Sequence, residues 1–283
     1  MINRTEQSDE IYECRNIVLA KDYLLKKIKN NQNISSSDLE TAAGIQRSLL
    51  PSKKELNTYK KKYEVEINYV YQTPQTMGGD YWTLREMDKD SFFIFVADFS
   101  YHGAAVLIDI LWLHEYIKRL TLPLGDLSQI FTNMNRDFHS KLQDGQYLTC
   151  FAGIINYKTQ TLSYCGAGMP PIIAINNRKA TFLDCTGIPI GAYQNANYND
   201  NLLEFTNDDE LLIYSDALVE INNDNKKLFT EKSILSEIEE LSKNPCGNIL
   251  ENILKTINIK KHIFSDDLTI ISLKPVNKSK HQQ

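Results

Sequence analysis

The sequence contains few of the residues from which cross-linked folds and zinc sites are built. Its 283 residues include five cysteines, which are odd in number, scattered along the chain and never arranged as a Cys-x-x-Cys pair. A disulfide framework or a zinc site is therefore not expected. No cysteine is followed six residues later by arginine, so the Cys-x5-Arg loop of thiol phosphatases is missing. This cysteine usage predicts a cytoplasmic protein.

Long apolar runs and an excess of positive charge are missing as well. No run approaches the roughly 18 apolar residues of a membrane span, and the opening residues MINRTEQSDEIYE are too polar and acidic for a signal peptide. The net charge of −5 and the pI of about 5.6 argue against a nucleic-acid binder, which would carry a basic stripe. We therefore expect neither membrane insertion nor a nucleic-acid partner.

The first 50 residues have helical patterns. Apolar positions over residues 17–28 are spaced as on an amphipathic helix, which the stretch NNQNISSSD interrupts. Its serines and Asp38 predict the cap of a second helix, DLETAAGIQRSLL, which ends before Pro51. Residues 1–50 are thus either a pair of packing helices or a regulatory linker. Helical linkers of this kind are typical of dimers, so a homodimer through the N-terminal helices is an expectation.

The rest of the chain, which is long enough for one large domain, alternates strand patterns with paired helical patterns. Strands are predicted in YEVEINYVYQ, YWTLREM, SFFIFVAD, YLTCFAGIINY, TLSYCGAG, PPIIAIN, ATFLD, LLEFT, LLIYSDALVEI and DDLTIISLKP, and helices over residues 104–120, 127–142, 230–243 and 246–258. Strands in meanders with helices in pairs predict an α+β fold, in which helices cover two packed antiparallel sheets. The polar tail at residues 276–283 is predicted to be disordered.

One predicted hairpin, MGGDYWTLREMDKDSFFIFVADF, carries an aspartate at each open end. A turn centred on Lys89 places Asp80 opposite Asp98, with their Cβ atoms about 4.5–5.5 Å apart. Two carboxylates at that distance share either a proton or a cation. Gly78 and Gly79 would let the backbone approach whatever is bound.

Further aspartates stand at other strand ends. Asp216 follows the strand LLIYS, and Asp266 and Asp267 precede the strand LTIIS. If these ends meet, several carboxylates at one point require a metal, and an all-oxygen set suits Mg²⁺ or Mn²⁺ rather than zinc. Two such ions form a phosphoryl-transfer or hydrolysis site. Aspartate is also common at strand ends for local reasons, and spacing alone leaves that alternative open.

A second metal-binding alternative comes from the segment GGDYW. It has a superficial likeness to the GGDEF signature of diguanylate cyclases, which occupies the turn of a hairpin. In this sequence the segment begins a strand, the turn follows eight residues later, and no acidic residue follows the aspartate. We therefore rank this alternative below the metal-dependent hydrolase.

Seven segments match, in order, the motifs of a known family. They are AAGIQRSLLP for A-x-x-I-Q-x-S-L-L-P, GGDYWT for G-G-D-Y-Y/F-D, ADFSYHG for A-D-V-S-G-H-G, GAGMPP for N-A-G-H-P-P, GIPIG for G-x-P-L-G, YSDALVE for Y-T-D-G-V-T/V-E, and DDLTI for D-D-I/M-T-L/V. Over about residues 40–274 the chain thus resembles the SpoIIE-type branch of the PPM metal-dependent serine/threonine protein phosphatases, the group that contains RsbU-like regulators.

This resemblance implies a four-layer αββα sandwich over residues 51–275, preceded by the helical linker or regulatory segment 1–50. It also implies two Mn²⁺ or Mg²⁺ ions at one end of the sheets. The metal ligands would be Asp80, Asp98, the carbonyl of Phe99, Asp216 and Asp266. The catalytic residues would be Asp80, Asp98 and His102, while Gly79 and Asp267 would orient the ligands without binding the ions themselves.

The activity implied by the resemblance is hydrolysis of phosphoserine or phosphothreonine in a bacterial signalling protein, such as a phosphorylated anti-anti-sigma (STAS-like) regulator. A metal-bridging hydroxide would attack the phosphorus in line, without a covalent enzyme intermediate. In this family the segment resembling AAGIQRSLLP and the helix over residues 104–120 act as a switch on metal binding, which is the expectation for this chain.

Several positions depart from the family pattern. Tyr101 and Ala217 replace glycines, Met169 replaces a histidine, and Thr83 replaces an aspartate. None of these changes removes a predicted metal ligand. They motivate an alternative function, a divergent pseudophosphatase that binds a signalling partner without hydrolysis. His102 has two candidate roles, as an acid or phosphate contact and as a cap of the helix that follows it.

Overall fold

Two five-stranded antiparallel sheets form the centre of the protein. The structure is a computed structural model that describes residues 36–122, 124–223, 226–227, 229–230, 233–243, 248–257 and 266–276. The strands are β1 (Val65–Gln72), β2 (Asp80–Glu86), β3 (Ser91–Phe99), β4 (Leu148–Asn156), β5 (Thr161–Ala167), β6 (Ile172–Asn176), β7 (Lys179–Leu183), β8 (Asn201–Glu204), β9 (Asp209–Tyr214), β10 (Asn222–Asn223), β11 (Lys226–Lys227) and β12 (Leu268–Pro275). The first sheet has the order β1-β12-β9-β6-β7 and the second β2-β3-β4-β5-β8, while β10 and β11 form a separate ribbon.

Helices cover the outer faces of these sheets. They are α1 (Ser36–Ser48), α2 (Lys53–Tyr63), α3 (Ala104–Arg119), α4 (Leu127–His139), α5 (Ala217–Glu220), α6 (Ile234–Lys243) and α7 (Ile249–Ile257). Helices α6 and α7 contact β7 and β12 of the first sheet, α4 contacts β5 of the second sheet, and α1 packs against α3. None of the helices in the described part of the chain is both long and apolar enough to cross a membrane.

The two faces of β9 show why this is a four-layer fold. Every residue of the strand is buried. Leu211 and Ile213 belong to the large apolar cluster that lies between the two sheets. Leu212 and Tyr214 belong to a second cluster, formed with helices α5 to α7. Because successive side chains of a strand point to opposite faces, this sheet is covered on both sides. The predicted αββα sandwich is confirmed.

The predicted hairpin has the expected register. Strands β2 and β3 pair antiparallel, with Asp80 opposite Asp98 and Glu86 opposite Phe92. Met87 and Asp88 both donate backbone hydrogen bonds to the carbonyl of Ser91, which closes the turn around Lys89. The turn therefore fixes both aspartates at the same open end of the hairpin.

Helix α2 was missed by the sequence patterns. Its segment KKELNTYKKKY is too polar to show an apolar stripe, and only Tyr59 and Tyr63 are buried, packed against the ring of Phe92. A capping box marks its start, since Ser52 accepts from the amide of Glu55 and the Glu55 carboxylate accepts from the amide of Ser52. The spacing Ser-x-x-Glu was the available signal.

Other boundaries differ from the sequence predictions by a few residues. Helix α1 begins at Ser36, two residues before the predicted start, and α4 ends at His139 rather than at residue 142. Four apolar residues of the N-terminal segment, Ala42, Ala43, Leu49 and Leu50, belong to the main core. The helix predicted over residues 17–28 and the tail after Val276 lie outside the described residues, so the linker, the homodimer and the disordered tail stay predictions.

Candidate metal centre

The open end of the β2–β3 hairpin lies where the two sheets meet. Asp80, at the start of β2, is buried, and its carboxylate accepts a hydrogen bond from the hydroxyl of Thr269 in β12 of the other sheet. The amide of Gly79 donates to the carboxylate of Asp267 at 2.5 Å. These two bonds join residues 189 and 188 positions apart in the sequence. They bring the hairpin aspartates and the Asp266–Asp267 pair to one place.

The two glycines before Asp80 are required by close contacts. A Cβ atom on Gly78 would lie 2.2 Å from the Asp267 carboxylate, and one on Gly79 would lie 2.7 Å from the carbonyl oxygen of Phe99. Any side chain at either position would therefore collide with the acidic cluster or with the carbonyl predicted as a metal ligand.

A hydrogen-bond network holds the Asp266–Asp267 turn. The hydroxyl of Ser215 donates to the carbonyl of Asp267 and accepts from the amide of Thr269. The amide of Asp267 in turn donates to the carboxylate of Asp266 at 2.8 Å. Asp266 is exposed, whereas Asp267 is buried with its carboxylate on Gly79. Asp267 therefore positions both its neighbour and the glycine turn.

Burial and mutual repulsion raise the pKa values of this carboxylate cluster. Burial, together with the charge of Asp98, raises the pKa of Asp80 well above its usual value. Burial and the charges of Asp216, Asp266 and Asp267 do the same to the pKa of Asp98. Burial also raises the pKa of Asp216, with Glu220 as the next cause, and raises the pKa of Asp267 to about 6. A cation would lower all of these values by favouring the charged forms.

The donor set fits a hard divalent cation in its chemistry. Its members are carboxylates and a backbone carbonyl, which are the oxygen ligands that Mg²⁺ and Mn²⁺ prefer. In the described part of the chain, however, no three His, Cys, Asp or Glu side chains converge closely enough to hold an ion as they stand. The carboxylates of Asp80 and Asp267 are instead engaged by Thr269 and Gly79.

Two adjoining cavities open on the cluster. The smaller, of about 230 Å³, is lined by Phe99, His102, Asp266 and Asp267, among others. The larger, of about 600 Å³, extends towards Met169 and helix α5. Both are lined by Asp98, Thr149 and Asp216, so they meet at the carboxylates. All of the predicted site residues except Asp80 line one cavity or the other, and Asp80 is buried opposite Asp98 on the neighbouring strand.

His102 and Tyr101 occupy the loop between β3 and α3. His102 is exposed on the wall of the smaller cavity. The capping alternative for His102 gains no support, since α3 has Gly103 at its N-cap and no side-chain capping bond. The hydroxyl of Tyr101 donates to Asp109 of α3 at 2.5 Å, and its ring packs edge-on against Phe99. Tyr101 therefore points to the helix, and its carbonyl, not its ring, lies near Gly79.

Three supporting residues were not identified from the sequence. Thr269 and Ser215 bond to the aspartates as described above; Ser215 directly precedes Asp216, and Thr269 follows Asp266 by three residues. The third is Gln46 of α1, which is buried and clamps the backbone of Gly78: its amide group donates to the Gly78 carbonyl at 2.7 Å and accepts from the Gly78 amide at 3.3 Å. The spacing of Gln46 four residues after Ala42, on the same helix face, was the available signal.

Comparison with known proteins assigns this chain to a family. The family model for Stage II sporulation protein E (SpoIIE) matches residues 88–275, more than half of the chain. Phosphoserine phosphatase RsbP of Bacillus subtilis (strain 168) is 24% identical over 213 residues, covering 72% of this chain and 51% of RsbP. The chain thus spans about half the length of this curated relative.

Solved structures agree with this assignment at the level of the fold. The SiaA-PP2C domain of Pseudomonas aeruginosa superimposes with a TM-score of 0.71 at 18% identity, covering 88% of this chain and 98% of that one. RsbX in complex with magnesium superimposes with a TM-score of 0.56 at 16% identity, covering 74% and 94% of the two chains. With its two packed sheets and the family match over residues 88–275, the chain belongs to the SpoIIE family, within the PPM group of PP2C-type folds.

Proposed function

We propose that this chain is a metal-dependent phosphoserine and phosphothreonine protein phosphatase of bacterial signalling. The observation that carries the proposal is the carboxylate cluster at the junction of the sheets, in which Asp80 faces Asp98 and both lie beside Asp267. The description of RsbP as a phosphoserine phosphatase and the magnesium complex of RsbX support the same activity and cofactor class.

Four aspartates and one carbonyl would hold two Mn²⁺ or Mg²⁺ ions: Asp80, Asp98, Asp216, Asp266 and the carbonyl of Phe99. The bound ions would neutralise the phosphate and activate the attacking water. Gly78 and Gly79 leave room for the carboxylates, and Asp267 orients the turn that carries Asp266. No serine or cysteine nucleophile is needed, because the reaction is direct hydrolysis.

His102 would act on the substrate from the wall of the smaller cavity. Its side chain is exposed there, beside Asp266 and Asp267. An imidazole in this position can donate a proton to the departing serine or threonine oxygen or bond to a phosphate oxygen. A His102→Gln variant keeps a hydrogen-bond donor but cannot act as a general acid, so it separates these two roles by the pH dependence of kcat.

The test compares Mn²⁺-dependent hydrolysis of a phosphoserine peptide by the wild type and by the double variant Asp80→Asn and Asp216→Asn. We expect the variant to lose at least about 100-fold in kcat/KM, because it lacks one ligand from each side of the site. The matched control is Asp88→Asn, an exposed aspartate at the turn end of the same hairpin. The control should keep wild-type turnover. A wild type that is no faster than the double variant would refute the proposal.

A second candidate function is a pseudophosphatase that binds a partner. The observation that favours it is that Tyr101, Met169 and Ala217 replace residues of the family motifs beside the carboxylates. Calorimetric titration with Mn²⁺ separates the two functions. Binding at sub-millimolar concentration that is lost in the Asp80→Asn and Asp216→Asn variant supports the enzyme, and absence of binding supports the pseudophosphatase.

We also infer that the substrate is a phosphorylated regulatory protein of the STAS-like class and that residues 1–50 are a regulatory segment. Support for the second inference comes from Gln46, which ties α1 to the glycine turn beside Asp80. A movement of α1 would therefore shift the glycine turn and, with it, the position of Asp80. Incubation with a phosphorylated STAS-domain protein, followed by intact-mass measurement, tests the substrate class directly.

A further inference from the structure

The larger cavity is bigger than phosphate hydrolysis alone requires. Its volume of about 600 Å³ is much more than a phosphate group occupies and falls within the range of about 300–1,000 Å³ typical of ligand sites. It begins at Asp98 and Asp216 and runs between the loop that follows β5 and helix α5. A substrate held at the carboxylates would therefore extend directly into it.

The outer wall of this cavity is apolar and stiff. It is formed by Met169, Pro170, Pro171 and Val219. Gly168 makes the turn into this loop with a φ of 73°, a conformation that favours glycine. Met169 is buried, and its sulfur accepts a hydrogen bond from the hydroxyl of Thr149 at 3.3 Å. The wall is thus formed before any ligand binds, which lowers the entropic cost of binding.

The charges that line the cavity select the kind of occupant. Its charged lining residues, within the part of the chain that the structure describes, are the carboxylates Asp98, Asp216 and Glu220. Met169 stands where the family pattern has histidine, so the loop offers an apolar side chain in place of an imidazole. Asp98 and Asp216 would bind the proposed cations, so Glu220 supplies the negative charge in the rest of the cavity. Glu220 would repel an acidic side chain, whereas an apolar side chain would be buried against methionine, proline and valine.

We propose that this cavity is a specificity site, which binds an apolar side chain directly next to the phosphoserine or phosphothreonine of a protein substrate. The proposal rests on the proposed phosphatase function, because it places the phosphate at the carboxylates that the two cavities share. Thr149 lies opposite Asp98 on the neighbouring strand β4 and marks the boundary between the phosphate and the apolar side chain.

The experiment uses three pentapeptides with a central phosphoserine, in which both flanking residues are leucine, glycine or aspartate. Turnover with Mn²⁺ and affinity by fluorescence anisotropy are measured for each, and p-nitrophenyl phosphate reports the chemistry without any flanking side chain. We expect the leucine peptide to exceed the glycine peptide by about tenfold or more in kcat/KM and in affinity. The aspartate peptide should be the poorest of the three.

Two variants of the cavity wall test the site itself. Val219→Trp fills the cavity and should reduce the ratio between leucine and glycine peptides to about one. Val219→Ala enlarges it and should move the preference from leucine to phenylalanine, which is measured with an additional peptide that carries phenylalanine on both sides of the phosphoserine. The matched control is Leu202→Trp on β8, because Leu202 is 71% exposed and does not line the cavity. Thermal unfolding verifies that each variant is folded.

The outcomes separate the two proposals. Equal kcat/KM and affinity for the leucine and glycine peptides in the wild type overturn the specificity site. An unchanged leucine-to-glycine ratio in folded Val219→Trp, or an unchanged leucine-to-phenylalanine ratio in folded Val219→Ala, overturns it as well. If p-nitrophenyl phosphate and all peptides resist hydrolysis, the phosphatase function fails. The anisotropy ratio then decides the specificity site by the same criteria.

Discussion

Replacing Asp267 by asparagine should stabilise the metal-free protein at neutral pH. Asp267 is buried beside other carboxylates, and its pKa rises from 3.8 to about 6 in the folded protein. Since one pKa unit corresponds to about 1.4 kcal/mol, the ionised group destabilises the fold by about 3 kcal/mol at pH 7. Asparagine keeps an acceptor for the Gly79 amide, but this bond loses its charge, at a cost of about 1 kcal/mol. The expected net gain is about 2 kcal/mol.

The sign of the pH dependence follows from the raised pKa. Between about pH 4 and pH 6 the folded protein binds more protons at Asp267 than the unfolded chain does. The stability that protonation provides is therefore fully present below the unfolded-state pKa and is lost as the pH rises through about 6. The Asp267→Asn variant does not lose this stability as the pH rises, because asparagine does not ionise. The stability difference between the two proteins should accordingly be near zero or reversed at pH 4 and reach its full size above pH 7.

The assay is urea unfolding in the presence of EDTA at several pH values from 4 to 8. In thermal unfolding under the same conditions, 2 kcal/mol corresponds to a rise in Tm of roughly 3–4 °C at pH 7.5 for a chain of 283 residues. Asp88→Asn is a control in which the change in stability at neutral pH should have the opposite sign. The Asp90 amide donates to Asp88 and holds the pKa of Asp88 below its usual value, so the ionised Asp88 stabilises the fold. A stability difference that does not vary with pH, or an asparagine variant less stable at pH 7.5, would refute the reasoning.

Three further predictions concern the surroundings of the cluster. Gly78→Ala should destabilise the fold by about 1–3 kcal/mol, because the new Cβ collides with the Asp267 carboxylate, and an unchanged urea midpoint would contradict the predicted contact. Gln46→Ala should lower the free energy of unfolding by about 2–4 kcal/mol, since two buried backbone groups of Gly78 lose their partner. An unfolding midpoint equal to that of the wild type would show that these hydrogen bonds are absent in solution. Tyr101→Phe should cost about 1–2 kcal/mol and further raise the pKa of Asp109, which loses its hydroxyl donor; carboxyl NMR titration measures that pKa, and no shift would exclude the bond.

The parts of the site that depend on local spacing could be predicted from the sequence. The pairing of Asp80 with Asp98 follows from a short turn between two strands of fixed side-chain period, so counting residues from Lys89 was sufficient. The meanders and paired helices likewise predicted two antiparallel sheets with helices outside. Helix α2 could not be predicted from apolar periodicity, because tertiary contacts of Tyr59 and Tyr63 with Phe92 supply its burial.

How distant parts of the chain meet at the site depends on the packing of the two sheets and could not be predicted from the sequence. Sequence order places Asp266 and Asp267 side by side with equal chemistry, but the packing of the two sheets sends one carboxylate to Gly79 and leaves the other exposed. The clamp of Gln46 on Gly78 and the apolar cavity beside Asp216 depend on the same packing. These contacts join residues that the chain separates by tens to nearly 200 positions. Spacing along the sequence gives no distance between such residues, because the packed core, not the local backbone, sets it.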